Sequence, residues 1–581
     1  MCGILAIRNG PAVHHRQLAS LRRRGPDAIG YWVNADINIS HTRLSIIGLD
    51  ERGSQPVENE RHVIAFNGEI YNFEDIRAAL GACKIRVQGS TDTEVLLHAW
   101  TKWGPQALPR LTGFWAFVVY DKQERTLTLV RDQLGIKPLY YWHSPEQTVV
   151  SSLLRTVVET ASESPDLDYQ ALSEYVRYQF TFGEKTFFKQ VKKVLPGQMV
   201  EIHLPTGALK TQCYEDILNP TDQPNEPLTP GAIQRTNELI ISCCYKSTIS
   251  DTSFTTFCSG GMDSSLITAI TRPDVAYHCN YKDPECNETF FAKQVIEHIH
   301  ANGGNTRLMT INADEDFDLC ARVASIIEDF DEPAIGSVIF PLDDLLSRVK
   351  ARYKVILTGT GGDELFAGYV RYQLALGECF QDSYRMLFEK MASVKSVAAR
   401  FEMTHAKGNT DLYAFYDREA ENTFREAYQA CGSGSELQKM LMFDRRYFLS
   451  GLLNIDDKMC GRHSLESRPS LLHQDLVRHI VRIEPDALLT NKDLKYLLRF
   501  AALGYLPESV VRRTDKMGFT TPIGDFVNRN AHRIREQIMD SRFRQFYNLK
   551  TTGFHADNKY SREAFGLLML DTWLNRYVRP Q

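Results

Sequence analysis

Two segments that share one pattern, an apolar run followed by a glycine-rich turn with an aspartate, constrain the fold of this chain most. The apolar run at 254–258 leads into SGGMDSS at 259–265, and the run at 353–357 leads into TGTGGDELFAGY at 358–369. A helical pattern follows the first turn, so strands alternate with helices, which predicts a parallel, doubly wound sheet. Both turns then lie at the carboxyl edge of that sheet, where open α/β sheets bind their ligands.

The N-terminal third has a different pattern. Short alternating or apolar runs, for example at 62–67 and 113–120, are separated by turn signals, which predicts mainly antiparallel sheets in a layered α/β arrangement. A proline-rich stretch at 204–230 has no hydrophobic periodicity, as is typical of a connection between domains. Mostly helical patterns complete the chain. We therefore expect an α/β protein with an N-terminal domain at 2–204, a linker at 205–230 and a C-terminal domain at 231–581.

Composition and charge exclude several classes of protein. The 581 residues are 43% apolar and 24% charged, which is typical of a globular protein rather than a disordered chain. The net charge is −5 and no long basic run occurs, so no nucleic-acid partner is expected. No apolar stretch reaches roughly 18 residues and the first residues lack the layout of a secretion signal, so no membrane association is expected. The 12 cysteines form no CxxC pair and no zinc-ligand spacing, as expected of a reduced, cytoplasmic protein.

Cys2 stands where it could become the N-terminal residue. Initiator methionine is usually removed when the next side chain is small, and a free α-amino group has a pKa of about 7.7–8.0. Such an amine can take the proton of its own residue's thiol, which is the chemistry of N-terminal nucleophiles. A separate Cys–His pair remains an alternative, and a cysteine without function is the simplest interpretation of Cys2 alone.

Polar residues beside downstream apolar runs favour a functional Cys2. Asn67 and Gly68, just past a strand, could offer a side-chain NH2 and a backbone N–H to one oxyanion. An arginine suits a substrate carboxylate and an aspartate suits an ammonium group, and the motifs downstream of Cys2 contain both residue types. Together these groups fit an α-amino acid amide, although each alone is equally well explained as a structural turn or cap.

With these motifs, the segment from 2 to about 202 resembles the class II glutamine amidotransferase domain, and the whole chain is similar to glutamine-hydrolysing asparagine synthetases. The resemblance implies an α/β/β/α domain in which Cys2 attacks the side-chain amide of glutamine and Asn67 and Gly68 form the oxyanion hole. The glutamine-binding residues it implies are Arg43, Leu44, Ser45, Ile46, Ile47, Asn67, Gly68, Glu69 and Asp92. One departure is Val150-Ser151-Ser152, where the family usually has a Ser-Glu pair.

The turn at 259–265 can bind an anion through backbone N–H groups and the start of a helix. No lysine follows its glycines, so it differs from the loop that serves γ-phosphate transfer. Asp263 would repel phosphates unless Mg2+ lies between them, so a metal is implied. The pattern resembles the pyrophosphate loop of enzymes that split ATP into AMP and pyrophosphate.

That resemblance implies Asp263 and Asp363 as Mg2+ ligands and Lys516 as the residue that neutralises charge during adenylation. The residues it implies for ATP binding are Phe257, Ser259, Gly260, Gly261, Asp263, Ser264, Asn280, Thr358 and Gly359.

The expected reaction is the amidation of a carboxylate through an acyl-adenylate, with glutamine as nitrogen donor and ATP cleaved to AMP and pyrophosphate. L-Aspartate is the leading acceptor. Thr360 stands where asparagine-forming members usually have a glutamate. This departure favours the alternative of another small carboxylic acid, as in natural-product or cell-surface sugar amidotransferases. Thr360 and Glu364 are therefore the candidate residues on the acceptor side.

Two further alternatives belong to other functional classes. The presence of Cys2, both loop aspartates and Lys516 disfavours a regulatory homologue without activity. The absence of a basic appended module disfavours a tRNA-modifying relative. The expected partners are glutamine, ATP and the acceptor, and a homodimer is left open. Because ammonia would be protonated in bulk water, we expect a mostly apolar internal passage between the two sites.

Overall fold

Three sheets form the framework of the protein in the computed structural model. The residues that the structure describes are 1–10, 15–219, 225–333, 336–406, 410–490, 492–514, 521–548, 554, 556 and 562–579. In spatial order the first sheet contains β10 (Val191–Lys193), β8 (Tyr140–His143), β9 (Thr148–Ser151), β1 (Gly3–Arg8), β3 (Asn38–Arg43) and β2 (Ala28–Val33). The second contains β12 (Ala208–Cys213), β11 (Gln198–His203), β7 (Thr126–Arg131), β6 (Gly113–Asp121), β5 (His62–Ile70) and β4 (Val57–Glu58). The third contains β15 (Arg307–Asn312), β14 (Val275–Asn280), β13 (Phe254–Phe257), β16 (Val355–Thr358) and β17 (Glu466–Pro469).

The first two sheets are antiparallel and pack face to face. Alternate residues of a strand point to opposite faces, so Ile4 and Ala6 of β1 lie between the sheets with Ala65 of β5 and Val118 of β6. Helices cover both outer faces: α1 (His15–Arg22), α4 (Leu154–Thr160) and α5 (Tyr169–Tyr178) on the first sheet, and α2 (Phe73–Ala82) and α3 (Asp92–Trp103) on the second. This α/β/β/α order confirms the fold class predicted for the N-terminal domain.

The third sheet is parallel throughout. The chain runs outward from β13 to β14 and β15, then returns to the other side of β13 with β16 and β17. This reversal places the switch point between β13 and β16, where a doubly wound sheet opens a crevice for a ligand. The two glycine-rich turns follow these two strands, and the predicted parallel sheet is confirmed.

Helices surround the third sheet and extend beyond it. They are α6 (Pro230–Ser247), α7 (Met262–Thr271), α8 (Thr289–Ala301), α9 (Leu319–Ile327), α10 (Ile339–Val349), α11 (Gly362–Leu365), α12 (Val370–Leu376), α13 (Arg385–Met391), α14 (Val397–His405), α15 (Glu419–Gln429), α16 (Glu436–Phe443), α17 (Leu449–Arg462), α18 (Gln474–Ile480), α19 (Tyr496–Ala502), α20 (Glu508–Val511), α21 (Ile523–Met539) and α22 (Glu563–Tyr577). Among the described residues, no helix is both long enough and apolar enough to cross a membrane.

A π-helical segment, Asp444–Phe448, joins α16 to α17. Such segments are rare and often occur at functional sites. Arg445 in this segment donates hydrogen bonds to the carbonyl oxygens of Glu364 (3.1 Å) and Leu365 (2.8 Å). The segment therefore fixes the turn that follows β16.

The structure differs from the sequence analysis within the predicted linker. Strand β12 pairs with β11 and forms an edge of the second sheet, with Cys213 opposite Gln198. Gly207 has a φ of +69° in the turn between the two strands, a conformation that glycine adopts without strain. All residues of β12 are exposed, so the strand lacks the apolar alternation that would reveal it. The domain boundaries themselves stay a prediction.

Candidate functional site

Cys2 lies immediately before β1, in the same cavity as Glu466 of β17. Its backbone N donates a hydrogen bond to Oδ1 of Asn67 (3.0 Å), and its Sγ lies 3.9 Å from the carbonyl oxygen of Leu44. Burial raises the pKa of the Cys2 thiol. The Met1 amine contacts the carbonyl oxygens of Arg24 (3.3 Å) and Leu465 (3.2 Å), and burial lowers its pKa to about 5. With Met1 attached, the nitrogen of Cys2 is an amide and cannot act as a base.

Asn67 and Gly68 have the geometry of an oxyanion-binding pair. Nδ2 of Asn67 is buried and has no hydrogen-bond partner among the described residues, although an unpaired buried donor is costly. Gly68 has a φ of +149°, and a Cβ there would lie 2.0 Å from the carbonyl oxygen of Phe114. Only glycine fits at this position. The unpaired amide beside Cys2 is therefore a donor available to a substrate.

A small cavity beside Cys2 collects most of the predicted glutamine-binding residues. The predicted residues that line it are Arg43, Leu44, Ile46, Ile47, Gly68, Glu69 and Asp92. Ser45 and Asn67 are not among its lining residues. The backbone N of Ser45 donates to Oδ2 of Asp27 (2.7 Å), and its carbonyl oxygen accepts from Lys354 (3.2 Å). No histidine lines this cavity in the described part of the chain, so no Cys–His pair is seen there.

Opposite charges line this cavity. Nη1 of Arg43 donates to the carbonyl oxygen of Asp50 (2.7 Å), and its Nη2 donates to those of Ile47 (3.2 Å) and Gly48, so the guanidinium is held in place. Asp92 accepts a hydrogen bond from the backbone N of Ile70 (3.1 Å), and burial raises its pKa to about 6. A fixed cation and buried carboxylates match the two charged groups of a free amino acid.

Glu466 of β17 also lines this cavity and was missed in the sequence analysis. Its Oε1 accepts from Nε of Arg468 (2.7 Å), and Arg468 in turn pairs with Glu69 of the N-terminal domain (3.1 Å). Although burial opposes ionisation, Lys137 and Arg468 lower the pKa of Glu466 to about 2. Nothing in the sequence indicated that Glu466 and Arg468 lie beside the cysteine, because more than 460 positions separate them from it.

A second, larger cavity of about 400 Å³ opens at the carboxyl ends of β13 and β16. The predicted residues that line it are Phe257, Ser259, Gly261, Asp263, Ser264, Thr358, Gly359, Thr360, Asp363 and Glu364. Gly260 is part of the turn but does not line the cavity, and its carbonyl oxygen accepts from Nη1 of Arg513 (3.1 Å). Asn280 at the end of β14 does not line it either and is bonded to Asn312 (3.1 Å) and Thr289 (3.1 Å). Lys516 lies outside the described residues.

The first glycine-rich turn has the form of an anion cradle. The hydroxyl groups of Ser259 and Ser264 lie 2.9 Å apart, and the backbone N of Gly261 donates to Oγ of Ser259 (3.2 Å). Gly261 is the N-cap of α7 and makes no side-chain cap, so no capping side chain pairs the first N–H groups of the helix, whose residues line the cavity. Unpaired N–H groups and the positive end of the helix dipole attract phosphate.

Asp263 and Asp363 converge on one side chain, Lys495. Nζ of Lys495 contacts a carboxylate oxygen of Asp263 and lies 2.7 Å from Oδ1 of Asp363. Although burial opposes the charged form, the two aspartates raise the pKa of Lys495. Lys495 was missed as a site residue, because it is 232 positions from Asp263 in the sequence.

These two carboxylates fit a magnesium site that is completed by the substrate. Gly362 and Gly368 leave room for them, because a Cβ would lie 2.6 Å from Cγ of Asp263 at the first position and 2.0 Å from Oδ1 of Asp363 at the second. Among the described residues, no group of three or more acidic, histidine or cysteine side chains could hold a metal by itself. Mg2+ commonly takes only one or two protein carboxylates and binds phosphate oxygens and water besides.

The cavity holds a further carboxylate, Asp456, near Thr360, which with Glu364 was predicted for the acceptor side. Glu364 is bonded to the hydroxyl of Tyr369, and burial together with Asp363 raises its pKa to about 7. The hydroxyl of Thr360 donates to Oδ2 of Asp456 (3.4 Å), and Asp456 also lines the cavity. Asp456 was missed, because helix α17 and the turn after β16 are far apart in the sequence.

Comparison with known proteins matches both parts of the chain to families. Residues 1–215 match the glutamine amidotransferase domain, and residues 236–575 match asparagine synthase. The chain belongs to the asparagine synthase family. The predicted resemblance and the predicted ligase class are confirmed. The family uses ATP and has activity of the glutamine-dependent asparagine synthase type.

Full-length relatives share both parts. Asparagine synthetase [glutamine-hydrolyzing] 1 of Bacillus subtilis is 28% identical over 591 residues, which covers 95% of this chain and 91% of the relative. Asparagine synthetase B [glutamine-hydrolyzing] of Escherichia coli is 24% identical over 560 residues, which covers 92% of this chain and 84% of the relative. This family member therefore has the same two-part organisation as those proteins.

Proposed function

We propose that this protein transfers the amide nitrogen of glutamine to the side-chain carboxylate of L-aspartate and forms asparagine, with ATP cleaved to AMP and pyrophosphate. The observation that carries the proposal is the position of β17 between the two cavities. Glu466 of this strand lines the cavity of Cys2, and the next residue, Ser467, donates a hydrogen bond to Asp456 in the larger cavity. One strand thus lines a site suited to glutamine and contacts a residue that lines a site suited to ATP.

The first half-reaction takes place at Cys2. Once Met1 is removed, the freed amine takes the thiol proton, and the thiolate attacks the amide carbon of glutamine. Nδ2 of Asn67 and the backbone N–H of Gly68 donate to the oxyanion, which stabilises the developing charge. Arg43 holds the glutamine carboxylate, and Glu69 and Asp92 hold its ammonium group. Ammonia leaves, and water then releases glutamate from the thioester.

The second half-reaction activates the acceptor. The N–H groups at the start of α7 and the hydroxyls of Ser259 and Ser264 bind the pyrophosphate portion of ATP. Mg2+ held by Asp263 and Asp363 would neutralise phosphate charge. Lys495 lies between these aspartates, and Lys516 is proposed to add a second positive charge. The acceptor carboxylate attacks the α-phosphorus, pyrophosphate leaves, and the acyl-adenylate reacts with ammonia to give the amide and AMP.

Aspartate is favoured as the acceptor by the names of the relatives, which are asparagine synthetases over most of the length of this chain. Thr360, which replaces the usual glutamate, does not outweigh these names. A carboxylate is still present beside this position, because Asp456 accepts a hydrogen bond from the hydroxyl of Thr360. The comparisons do not favour the alternative of another small acid. A cytoplasmic location and a homodimer stay predictions.

The test is pyrophosphate release with ATP, glutamine and a panel of carboxylic acids. We expect release that depends on aspartate and is matched by asparagine formed. Release with a different acid and none with aspartate would contradict the proposal. Release only with tRNA, or with no acid at all, would contradict it as well.

A further inference from the structure

Asp456 on α17 is a nearly buried carboxylate with an asymmetric set of partners. Its side chain is 9% exposed. Three hydroxyl groups donate to the same oxygen, Oδ2: those of Thr358 (3.3 Å), Thr360 (3.4 Å) and Ser467. Three donors on one oxygen fix the plane of the carboxylate and leave its second oxygen in a defined direction.

The second oxygen, Oδ1, has no hydrogen-bond partner in the described part of the chain, and Asp456 lines the larger cavity. A buried carboxylate that is only partly paired costs stability, and an asparagine of the same shape would avoid the cost of a charge. Burial raises the pKa of Asp456, so its carboxylate binds a proton more readily than an exposed one. These properties suit a group that accepts a proton from a ligand in the cavity.

The position of Asp456 relates it to the nitrogen source. Its partner Ser467 neighbours Glu466, which lines the cavity of Cys2. Its neighbour Asp457 is paired with Arg24, which also binds the carbonyl oxygen of Cys2. Asp456 therefore lies on the side of the larger cavity that contacts β17, the strand that also lines the cavity of Cys2, and ammonia would arrive from this side.

We propose that Asp456 is a catalytic residue that takes the proton lost by ammonia as it attacks the activated carboxylate. This inference rests on the proposed function. In that step a bond forms between nitrogen and the acyl carbon, and the bond from this carbon to the phosphate oxygen breaks, so AMP leaves with the bonding electron pair. One N–H proton passes to Oδ1 of Asp456. Thr358 and Thr360 cannot accept it near neutral pH, since their hydroxyls act as donors to Oδ2.

Glu364 is the other carboxylate on this side that could act as a base. Its Oε1 is engaged by the hydroxyl of Tyr369, and it follows directly after Asp363, which is proposed to bind the metal. Among the described residues, Glu364 forms no hydrogen bond with β17. We therefore place Glu364 on the phosphate side of the cavity and not on the side from which ammonia would arrive.

The test uses the full-length protein with the substitution Asp456→Asn, which keeps the shape and the acceptor oxygen for the hydroxyls. Three activities are measured: aspartate-dependent exchange between ATP and pyrophosphate, ammonia-dependent asparagine formation, and glutamine hydrolysis. We expect exchange and hydrolysis to stay within about 3-fold of the wild type. The kcat of asparagine formation should fall about 10²- to 10⁴-fold, the usual contribution of general base catalysis, with little change in the KM for ammonia.

Asp216→Asn is the matched control, because Asp216 is a partly exposed carboxylate that forms an ion pair with Arg446 (2.6 Å), accepts from the backbone N of Leu218 (3.2 Å) and lines neither cavity. It should leave all three activities unchanged. A kcat for D456N within 3-fold of the wild type would overturn the inference, and so would an equal loss of exchange or a rise in the KM for ammonia alone. If D456N does not fold, Asp456→Ser is judged by the same criteria. A wild-type enzyme that forms no asparagine overturns the proposed function and this inference with it.

Discussion

Arg24 and Asp457 form a buried, bidentate ion pair between the two parts of the molecule. Nη1 of Arg24 lies 2.6 Å from Oδ2 of Asp457, and Nη2 lies 3.2 Å from Oδ1. Nε of the same guanidinium donates to the carbonyl oxygen of Cys2 (3.0 Å). A single arginine therefore connects the backbone of the proposed nucleophile to the helix that carries Asp456.

Replacing Asp457 with asparagine should weaken this connection. The substitution leaves the buried charge of Arg24 without its counter-charge, so the free energy of unfolding should fall by about 3–5 kcal/mol. The ratio of asparagine formed to glutamate released should fall as well, because Cys2 and α17 are no longer held together. Denaturant unfolding and the two product yields measure these effects.

Asp216→Asn provides the comparison, since its pair with Arg446 is partly exposed and should contribute only about 0–1 kcal/mol. A loss of stability in D457N no larger than in this control would contradict the role of the buried pair.

Glutamine use should depend on pH through Asp92. Burial raises the pKa of Asp92 to about 6. Below that pH the carboxyl is neutral and no longer attracts the ammonium group of glutamine, so kcat/KM for glutamine hydrolysis should fall as the pH drops through 6. The variant Asp92→Asn should have a lower kcat/KM at neutral pH and should lack this acid limb. An unchanged acid limb in D92N would show that another group causes it.

The sulfur of Cys2 should be required for glutamine but not for ammonia. Cys2→Ala removes the nucleophile without touching the larger cavity, so glutamine-dependent synthesis should be abolished and ammonia-dependent synthesis retained. Product formation with each nitrogen donor is the measurement. Loss of both activities in a folded C2A protein would contradict the independence of the two sites.

Protein that hydrolyses glutamine should lack Met1. The nitrogen of Cys2 can act as a base only as a free amine, and in the unprocessed chain it is an amide bonded to Asn67. Intact-mass analysis of active protein should find the chain without Met1. Fully active protein that retains Met1 would rule out the amine as the base.

Magnesium should be required for pyrophosphate release in the larger cavity and should not be required for glutamine hydrolysis. Chelation by EDTA, or the substitution Asp263→Asn, should lower pyrophosphate release at least about 100-fold, because phosphate charge beside the two aspartates is no longer neutralised. Glutamine hydrolysis should continue at its usual rate and serves as the control. Undiminished pyrophosphate release in metal-free protein would contradict the proposed metal ligands.

The sequence predicted those features that depend on local patterns. The glycine-rich turns after β13 and β16 are visible because apolar strands, glycines and an aspartate are adjacent in the chain, and their meeting follows from the geometry of parallel sheets. The apolar runs of β5 and β6 were visible in the same way. Strand β12 was not, since all of its residues are exposed.

Contacts between distant residues could not be predicted in this way. Arg24 and Asp457 are separated by 433 positions, and Lys495 and Asp263 by 232. No periodicity links such pairs, so the ion pair and the lysine between the aspartates appear only in three dimensions. Asp456 is the same case, because its three hydroxyl partners come from two strand ends and a turn. The predicted apolar passage stays a prediction, and the described residues of β17 beside the Cys2 cavity include the charged Glu466 and Arg468.

The central claim is that nitrogen released at Cys2 is installed on aspartate at the larger cavity of the same molecule. The most direct measurement supplies glutamine labelled with ¹⁵N in its side-chain amide, together with ATP, aspartate and an excess of unlabelled ammonium, and determines the label in the product by mass spectrometry. We predict asparagine whose amide carries mainly ¹⁵N, formed in equal amount with AMP. Asparagine with mainly unlabelled amide, or no asparagine while glutamate accumulates, would contradict the account.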